Sequence, residues 1–363
     1  MGAVRRSHVA ALAIVTALLL FLLTRLPPPA ALPLPPAPQV YRDTTTAPPT
    51  PVTNKTTAAP PLTSPIAPVK SVPVSPVSPP KAAAKNGSLP VLTGDVYVAG
   101  HEKPHPELCP SLGAKLRLLI LVTSAPSHSA ARDAVRMTWG HFAVRSDIAF
   151  AFVIGVPPDT MRPAIEAEDT LYGDIIVGRF MDSYSNLTLK TLSMLEWVDT
   201  YCPRVQRLLK TDDDMFINVP KLIEFMKAPS RVNATKTIWG KVVKKSLPKR
   251  TSRSKYFVSP LQFPGKVFPD FTTGPAYLLT TDVIRLILAA APSQPYLRLE
   301  DVFITGVLGN KLGIKRQHAT EFYNRKIAHP CAVQRGVSVH MVRYHEQFDL
   351  WRKLLDGKMK CAS

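Results

Sequence analysis

One stretch, residues 205–214, reads Val-Gln-Arg-Leu-Leu-Lys-Thr-Asp-Asp-Asp and indicates how the folded part of this chain is organised. Its first seven residues have the apolar character of a strand, and three carboxylates follow at the strand's end. In open α/β sheets, ligands bind beyond the carboxyl ends of the strands. Adjacent carboxylates raise one another's pKa unless a cation lies between them, and oxygen ligands suit Mg²⁺ or Mn²⁺. The alternative to a metal site is a solvated acidic turn.

Strand-like and helix-like segments alternate on both sides of this stretch. Strands are predicted over residues 115–123, 148–154, 174–180, 205–211, 237–243 and 276–280. Helices are predicted over residues 128–139, 159–172, 187–201, 220–227, 282–291 and 302–312. Strands separated by helices indicate a mainly parallel sheet, so the sequence predicts one α/β domain over residues 109–363. Neither a Gly-x-Gly-x-x-Gly nor a P-loop motif is present, so a metal and basic side chains are expected to hold phosphate.

The N-terminus has the pattern of a membrane anchor. A short basic segment, residues 1–8 with Arg5 and Arg6, precedes an apolar segment, residues 9–26. This length lies near the lower limit for a membrane span, and a cleaved signal peptide is the competing interpretation. We expect an uncleaved signal anchor with a cytosolic tail, which makes the protein single-pass type II with the remainder in a lumen.

Residues 27–108 have the composition of a disordered stem. They include 19 prolines between Pro27 and Pro90, interleaved with threonine, serine, alanine and valine. Such a segment is extended and semi-rigid, and cannot form a hydrophobic core. We expect it to hold the following domain away from the membrane.

Sequons and cysteines agree with a lumenal address. Asn54, Asn86, Asn186 and Asn233 each begin an Asn-x-Ser/Thr sequon. The four cysteines are Cys109, Cys202, Cys331 and Cys361. In an oxidising compartment they permit two disulfides, with three connectivities open from the sequence.

The formal charge of +19 indicates an anionic partner. The lumenal address argues against nucleic acid and favours a nucleotide donor, acidic glycans or the membrane surface. The densest basic run is residues 241–255, for which a solvated loop is the alternative interpretation.

Four motifs occur in the order and spacing of one known family. They are Arg-Asp-Ala-Val-Arg-Met-Thr-Trp-Gly at 132–140, Tyr-Gly-Asp-Ile-Ile at 172–176 with Asp-Ser-Tyr-Ser-Asn-Leu-Thr-Leu-Lys-Thr at 182–191, Lys-Thr-Asp-Asp-Asp-Met-Phe-Ile-Asn at 210–218, and Glu-Asp-Val-Phe at 300–303. On these motifs the chain resembles glycosyltransferase family 31, which includes β1,3-galactosyltransferases and β1,3-N-acetylglucosaminyltransferases. The resemblance covers roughly residues 115–355, and the anchor and stem match the family's type II Golgi layout. One departure is that residues 302–306 carry one residue more than the common spacing to glycine.

The resemblance implies a GT-A-type, Rossmann-like single catalytic domain that uses a UDP-sugar donor with Mn²⁺ or Mg²⁺. It implies that Asp214 is the direct metal ligand, that Asp213 meets the donor's sugar or ribose, and that Asp212 supports them. His340 matches a second metal ligand of the family, with His345 as its rival and an ordinary core or surface histidine as the alternative.

The catalytic base implied by the resemblance is Asp301. Inversion at the anomeric carbon needs one carboxylate within hydrogen-bond reach of the attacking hydroxyl. The alternative is that Asp301 only caps a helix. Arg132 and Arg136 lie four residues apart on one helix face and are expected at the donor's diphosphate or uracil, with surface pairing, such as Arg136 with Asp133, as the alternative.

Together these features predict an inverting, metal-dependent β1,3-hexosyltransferase of the Golgi membrane. It is expected to move galactose from UDP-galactose to a glycan on a glycoprotein or glycolipid. N-acetylglucosamine is the alternative sugar. A metal-dependent phosphohydrolase and a non-enzymatic lumenal lectin are the competing classes.

Overall fold

The computed structural model describes residues 89–327, 329–356 and 361. The predicted cytosolic tail, the anchor and the stem up to residue 88 lie outside these residues. None of the helices in the described ranges is long and apolar enough to span a bilayer.

An eight-stranded sheet forms the centre of the domain. Its strand order is β1-β4-β3-β2-β5-β8-β7-β9, and a small second sheet has the order β10-β11-β6. The strands are β1 (His101–Lys103), β2 (Leu118–Thr123), β3 (Ile148–Val156), β4 (Ile175–Met181), β5 (Arg207–Asp212), β6 (Phe216–Ile217), β7 (Thr237–Val243), β8 (Phe271–Thr280), β9 (Lys315–His318), β10 (Phe322–Tyr323) and β11 (Ser338–Val339). The predicted α/β architecture is confirmed.

The sheet is mixed rather than mainly parallel. β2 pairs in parallel with β3 and β5, and β3 with β4. β8 runs antiparallel to both β5 and β7, and β1 is antiparallel to β4. After β5 the chain contributes β6 to the small sheet and then returns to the large sheet as β7 and β8. The alternation of predicted strands and helices gave no sign of this change of direction.

Helices cover both faces of the sheet. The α-helices span Thr93–Val96, Ser129–Arg136, Arg162–Tyr172, Leu187–Tyr201, Val219–Lys227, Pro229–Val232, Ile284–Ala290, Gly309–Lys311, Pro330–Arg335 and Tyr344–Leu355. Shorter 3₁₀ turns lie at Pro106–Leu108, Pro110–Gly113, Trp139–Val144, Asp159–Met161, Tyr184–Asn186, Thr281–Val283 and Ala291–Ser293. The predicted helix over residues 187–201 has exactly the bounds that the structure gives.

The core lies on both sides of β2, which is why this strand is apolar throughout. Leu119 and Leu121 pack with the helix Leu187–Tyr201, whereas Leu118 and Ile120 pack with Trp139 on the other face. Side chains alternate between the two faces of a strand. Each fully buried aliphatic side chain contributes about 1.5–3 kcal/mol, so the carboxyl end of β2 has a rigid foundation.

The folded part begins before residue 109, which corrects the predicted end of the stem at residue 108. Strand β1 pairs with β4 at the sheet edge. The Tyr97 hydroxyl donates to Glu196 Oε2 at 2.5 Å, and the buried Trp197 indole N–H donates to the Pro104 carbonyl. Residues 100–108, which contain β1, have Leu108 as their one apolar side chain, so composition did not mark them as part of the domain.

Two disulfides pair all four cysteines. They join Cys109 to Cys202 and Cys331 to Cys361, which selects one of the three open connectivities. Among the sequons in the described ranges, Asn233 is exposed. Asn186 is buried and donates to the Met181 carbonyl, so its role is structural.

The segment Val302–Leu308 is a π-helix, which continues into the α-turn Gly309–Lys311. A π-turn spans one residue more than an α-turn, and such turns are common at functional sites. Two hydrogen bonds between Thr305 and Thr272 of β8, at 2.8 and 3.1 Å, fix the π-helix to the sheet.

Candidate active site

The carboxyl ends of β2 and β5 meet because the strands are parallel neighbours. Thr123 of β2 is in register with Asp212 of β5. The Thr123 hydroxyl donates to Asp212 Oδ1 at 2.5 Å, and the Lys210 ammonium donates to the same oxygen at 2.5 Å. Asp212 is therefore a paired, fixed carboxylate at the edge of the sheet, as the strand-end prediction required.

Asp213 turns towards the loop that follows β2. Its Oδ2 accepts a hydrogen bond from the Ser124 hydroxyl at 2.7 Å and lies 2.8 Å from His128 Nδ1. The hydrogen bond to Asp213 raises the pKa of His128 above its ordinary value. The Asp213 carboxylate thus joins the end of β5 to the start of the helix Ser129–Arg136. It is not among the residues that line the cleft described below.

Asp214 and His340 come together through the small sheet. Strand β6 follows Asp214 closely, and β11 directly precedes His340. These strands pair antiparallel with Phe216 opposite Val339. His340 Nε2 lies 3.5 Å from Asp214 Oδ2, and the two side chains are 22% and 50% exposed. His345 lies elsewhere, on the exposed start of the helix Tyr344–Leu355, so the histidine beside the aspartate is His340.

Asp301 is held at the start of the π-helix. Its Oδ1 accepts from the Val302 N–H at 2.9 Å, and its Oδ2 accepts from the Gly274 N–H at 3.2 Å. Burial raises the pKa of Asp301 above its ordinary value, against the opposing effect of these backbone donors. The capping geometry is therefore present, and it leaves further lone pairs on each oxygen for another donor.

Lys210 connects the acidic end of β5 to the Asp301 side. Its ammonium donates to the Gly274 carbonyl at 2.7 Å and lies 3.8 Å from Glu300 Oε2. Burial alone would lower the pKa of Lys210, but Asp212 and Glu300 outweigh this effect and raise it. Burial raises the pKa of Glu300 to about 7 despite Lys210, and the Tyr277 hydroxyl donates to Glu300 Oε1 at 2.6 Å.

These groups line one cleft with a volume of about 730 Å³. Its lining includes the predicted residues Asp212, Asp214, Asp301 and His340. A volume of this size suits a ligand of several hundred daltons. The fixed Asp301 carboxylate, whose pKa is raised, and the Asp214–His340 pair therefore line the same cleft.

Asp214 and His340 can hold a divalent cation together. Within the described ranges, no group of three or more histidine, cysteine or acidic side chains could do so alone. Ions such as Mg²⁺ keep several waters and commonly take one or two protein ligands plus substrate phosphates. The oxygen–nitrogen donor pair, half-open to the cleft, fits that arrangement.

Arg132 and Arg136 are not in the cleft, which corrects their predicted place at the donor. The fully buried Arg132 guanidinium makes two 2.7 Å hydrogen bonds to Glu168 and others to the loop after β2. Arg136 binds Asp174 at 2.7 and 2.9 Å and Asp133 at 2.9 Å. The pairing of Arg136 with Asp133 that the alternative named is present, whereas Arg132 pairs in the interior and not at the surface.

Sequence reasoning gave no role to Lys210 or Gly274. The signal for Lys210 was available: a lysine inside an apolar strand shares a face with Asp212 two residues later, because side chains alternate. Gly274 carried no such signal. Its closeness to Asp301 depends on the antiparallel return of β8, and a Cβ added there would lie 3.2 Å from Glu300 Oε2.

Comparison with known proteins gives one consistent result. The galactosyltransferase family profile matches residues 130–320. A human lactosylceramide 1,3-N-acetyl-β-D-glucosaminyltransferase is 32% identical over 271 residues, which cover 71% of each chain. The rat β-1,3-galactosyltransferase 4 is 34% identical over 60% of this chain and 66% of its own length. The mouse β-1,3-galactosyltransferase 1 is 33% identical over 67% of this chain and 76% of its own length.

Proposed function

Because this chain belongs to the galactosyltransferase family, and is therefore a glycosyltransferase, we propose that it is an inverting β1,3-hexosyltransferase. The proposed donor is UDP-galactose, and the proposed acceptor is a hydroxyl of a glycan on a glycoprotein or glycolipid. UDP-N-acetylglucosamine is the second candidate donor, since one of the similar proteins is named for that sugar. The observation that carries the proposal is that Asp301 and the Asp214–His340 pair line the same cleft.

Asp301 is the proposed catalytic base. The acceptor oxygen forms a bond to the anomeric carbon, the bond from that carbon to the UDP oxygen breaks, and the acceptor proton passes to Asp301. The hydrogen bonds from Gly274 and Val302 hold the carboxylate in place. Its raised pKa supports the role, because a base holds a proton better as its pKa approaches the working pH.

Asp214 and His340 are the proposed ligands of Mn²⁺ or Mg²⁺. A divalent ion in this place supplies charge that stabilises the departing diphosphate. Asp212 stays paired with Lys210 and Thr123 and supports the edge from which Asp214 extends. We propose that Asp213 fixes the loop after β2 on the donor side of the cleft, through its hydrogen bonds with Ser124 and His128.

The proposed location is the Golgi membrane, as a single-pass type II protein with its catalytic domain in the lumen. The two disulfides support an oxidising compartment. The proposed organisation remains a tail over residues 1–8, an anchor over 9–26 and a stem from 27. The proposed domain begins near Val91, whose carbonyl accepts from the Tyr296 N–H at 2.8 Å.

One donor experiment tests this function against its rivals. The purified lumenal part is incubated with UDP-galactose or UDP-N-acetylglucosamine and a mixed glycan acceptor array, with and without Mn²⁺. We expect transfer of one sugar, greatly reduced without the ion. Release of phosphate without transfer would indicate a phosphohydrolase, and glycan binding without turnover of either donor would indicate a lectin.

A further inference from the structure

A second set of cleft residues is basic and aromatic, and the reaction proposed above does not use it. We call it the basic wall, and it consists of Tyr184, Lys249, Lys255, Tyr256 and Arg298. All five line the same cleft as Asp301. Their position in the lining and their charge make them candidates to bind an anionic group.

Lys255 and Arg298 form the connected part of the basic wall. Arg298 Nη2 donates to the Lys255 carbonyl at 2.7 Å, and the Lys255 ammonium lies 4.9 Å from the centroid of the Tyr256 ring. The Nε of Arg298 is buried and has no hydrogen-bond partner among the described residues. The bond from Nη2 to Lys255 is thus the one hydrogen bond of this guanidinium within the described residues, so donors remain for a ligand in the cleft.

The cations of the basic wall are free of close ion pairs within the described residues. Lys210 elsewhere in the cleft is paired with Asp212 and Glu300. In contrast, Lys249, Lys255 and Arg298 make no ion pair with any carboxylate in the part of the chain that the structure describes. Three unpaired cations in one cleft attract an anion.

The basic wall shares its cleft with the proposed base, because Tyr184, Lys255, Arg298 and Asp301 all line it. Burial raises the pKa of the Tyr184 hydroxyl, Asp301 adds to this rise, and Lys255 and Arg298 oppose it. Tyr184 and Tyr256 are 57% and 46% exposed, so their rings offer apolar faces with polar tips to a ligand.

Resting on the glycosyltransferase function above, we propose that the basic wall binds a carboxylate or sulfate ester on the acceptor glycan, close to the hydroxyl that accepts the sugar. Arg298 supplies planar donors for such a group, and Lys255 supplies a mobile point charge. The tyrosine rings pack against the sugar that carries it. The same cations would also attract the donor's diphosphate, so the experiment must separate the two ligands.

Binding is measured by calorimetry on the full chain saturated with UDP and Mn²⁺. The probes are β-galactosyl-N-acetylglucosamine, its forms sulfated at carbon 6 of either sugar, β-galacturonosyl-N-acetylglucosamine and the methyl ester of that acid. The variant Lys255→Gln with Arg298→Gln is compared with wild type and with Arg253→Gln, which changes an exposed cation of the same loop outside the cleft. Lys255→Gln alone serves if the double variant does not fold, since this side chain is exposed.

We expect wild type and Arg253→Gln to bind at least one charged probe about tenfold more tightly than its neutral counterpart, as one charge-assisted hydrogen bond allows. The double variant should lose this preference while its affinity for neutral probes and for UDP is unchanged. Equal binding of charged and neutral probes by wild type overturns the proposal. So does weakened UDP binding in the variant with the anion preference intact, which assigns the cations to the diphosphate.

The two hypotheses fail in different ways. The probe titrations need no turnover, so selective anion binding by a protein inactive towards both donors would contradict the proposed function alone. Transfer to neutral glycans without any anion preference would contradict only the assignment of the basic wall. Preference for the carboxylate probe over the sulfated probes, or the reverse, identifies which anion the acceptor carries.

Discussion

At the scale of single residues, the site contains carboxylates whose surroundings, and therefore whose affinities for a proton, differ. Asp301 is fixed by two backbone donors, whereas Glu300 beside it is buried against Lys210 and Tyr277. Neighbouring carboxylates in unlike environments take different roles. Replacing Asp301, Asp214 or Glu300 should therefore have three distinct effects.

Asp301→Asn should keep UDP binding and lose transfer by about 10²–10⁴-fold, because an amide cannot accept the proton. The measurement is a steady-state transfer assay alongside calorimetry with UDP. Asp270→Asn is a matched control, since that exposed aspartate lies outside the cleft. Near-normal turnover of Asp301→Asn would remove this residue as the base.

Asp214→Ala should weaken UDP binding only when Mn²⁺ is present, because it removes one of the two proposed ligands. UDP affinity is measured across a Mn²⁺ titration for wild type, Asp214→Ala and His340→Ala. Both variants should need more Mn²⁺ for half-maximal enhancement. Identical titration curves in all three proteins would contradict the assignment.

Glu300→Gln should flatten the dependence of stability on pH. Burial raises the pKa of Glu300 in the native state to about 7, above the ordinary value of 4.5. The native state therefore binds the proton more tightly, and this contribution to stability is complete below pH 4.5 and lost as pH rises through 7. The loss amounts to at most about 3 kcal/mol, since one pKa unit corresponds to about 1.4 kcal/mol.

Urea unfolding at pH 5, 6, 7 and 8 gives the free energy of unfolding for wild type and Glu300→Gln. The free energy of unfolding of wild type should fall relative to that of Glu300→Gln as the pH rises from 5 to 8. Glu224→Gln, which alters an exposed glutamate paired with Lys221, should track wild type. A constant difference for Glu300→Gln would mean that Glu300 does not titrate in this interval.

At the scale of elements, the first strand belongs to the catalytic domain. A chain that starts at residue 109 loses β1, the Tyr97–Glu196 hydrogen bond and the acceptor of the buried Trp197 indole. The unsatisfied indole alone costs about 1–3 kcal/mol. We expect its melting temperature to fall by about 5 °C or more, as each kcal/mol shifts it by about 2–4 °C.

A chain that starts at residue 89 is the matched control and should melt with the full lumenal part. Thermal unfolding by circular dichroism compares the three proteins under one buffer condition. Equal melting temperatures for the chains starting at 89 and 109 would place the domain boundary where the composition suggested.

Elements with a strong apolar period could be predicted from the sequence. The strands over 148–154 and 237–243 and the helix over 187–201 were found within two residues of their observed ends. The small sheet was missed, because β6, β10 and β11 have two residues each and no readable period. The helix Tyr344–Leu355 was also missed, and the segment predicted as a helix over residues 302–312 is a π-helix in its first part.

At the scale of the whole molecule, the strand-end rule located the acidic edge, and the resemblance pointed to Asp301 as the proposed base and to His340. Pairing across the chain decided the rest. Arg132 and Arg136 have the spacing of ligands, yet their carboxylate partners Glu168 and Asp174 lie over thirty residues away in sequence. Single-sequence reasoning cannot see such partners, and so it could not separate a buried ion pair from a donor site.

Each disulfide should stabilise the molecule by an amount that rises with the logarithm of the length of the loop it closes. The sequence separations are 93 residues for Cys109–Cys202 and 30 for Cys331–Cys361. Chain entropy predicts losses of about 4.5 and about 3.5 kcal/mol when each pair is replaced by serines. Urea unfolding of the two double variants, with peptide mapping of the wild type without reduction, tests both the order and the connectivity; a 109–331 or 109–361 linkage would refute it.

The pairing of β11 with β6 brings His340 to Asp214, although the whole of β7, β8 and β9 lies between the two residues in sequence. A ribosome that has translated Asp214 must therefore continue to residue 340 before the two side chains can meet. A product released before Ser338 would contain every strand of the eight-stranded sheet and Asp301, but it could not complete the aspartate–histidine pair. Synthesis itself thus delays the finished cleft until after the large sheet has been made.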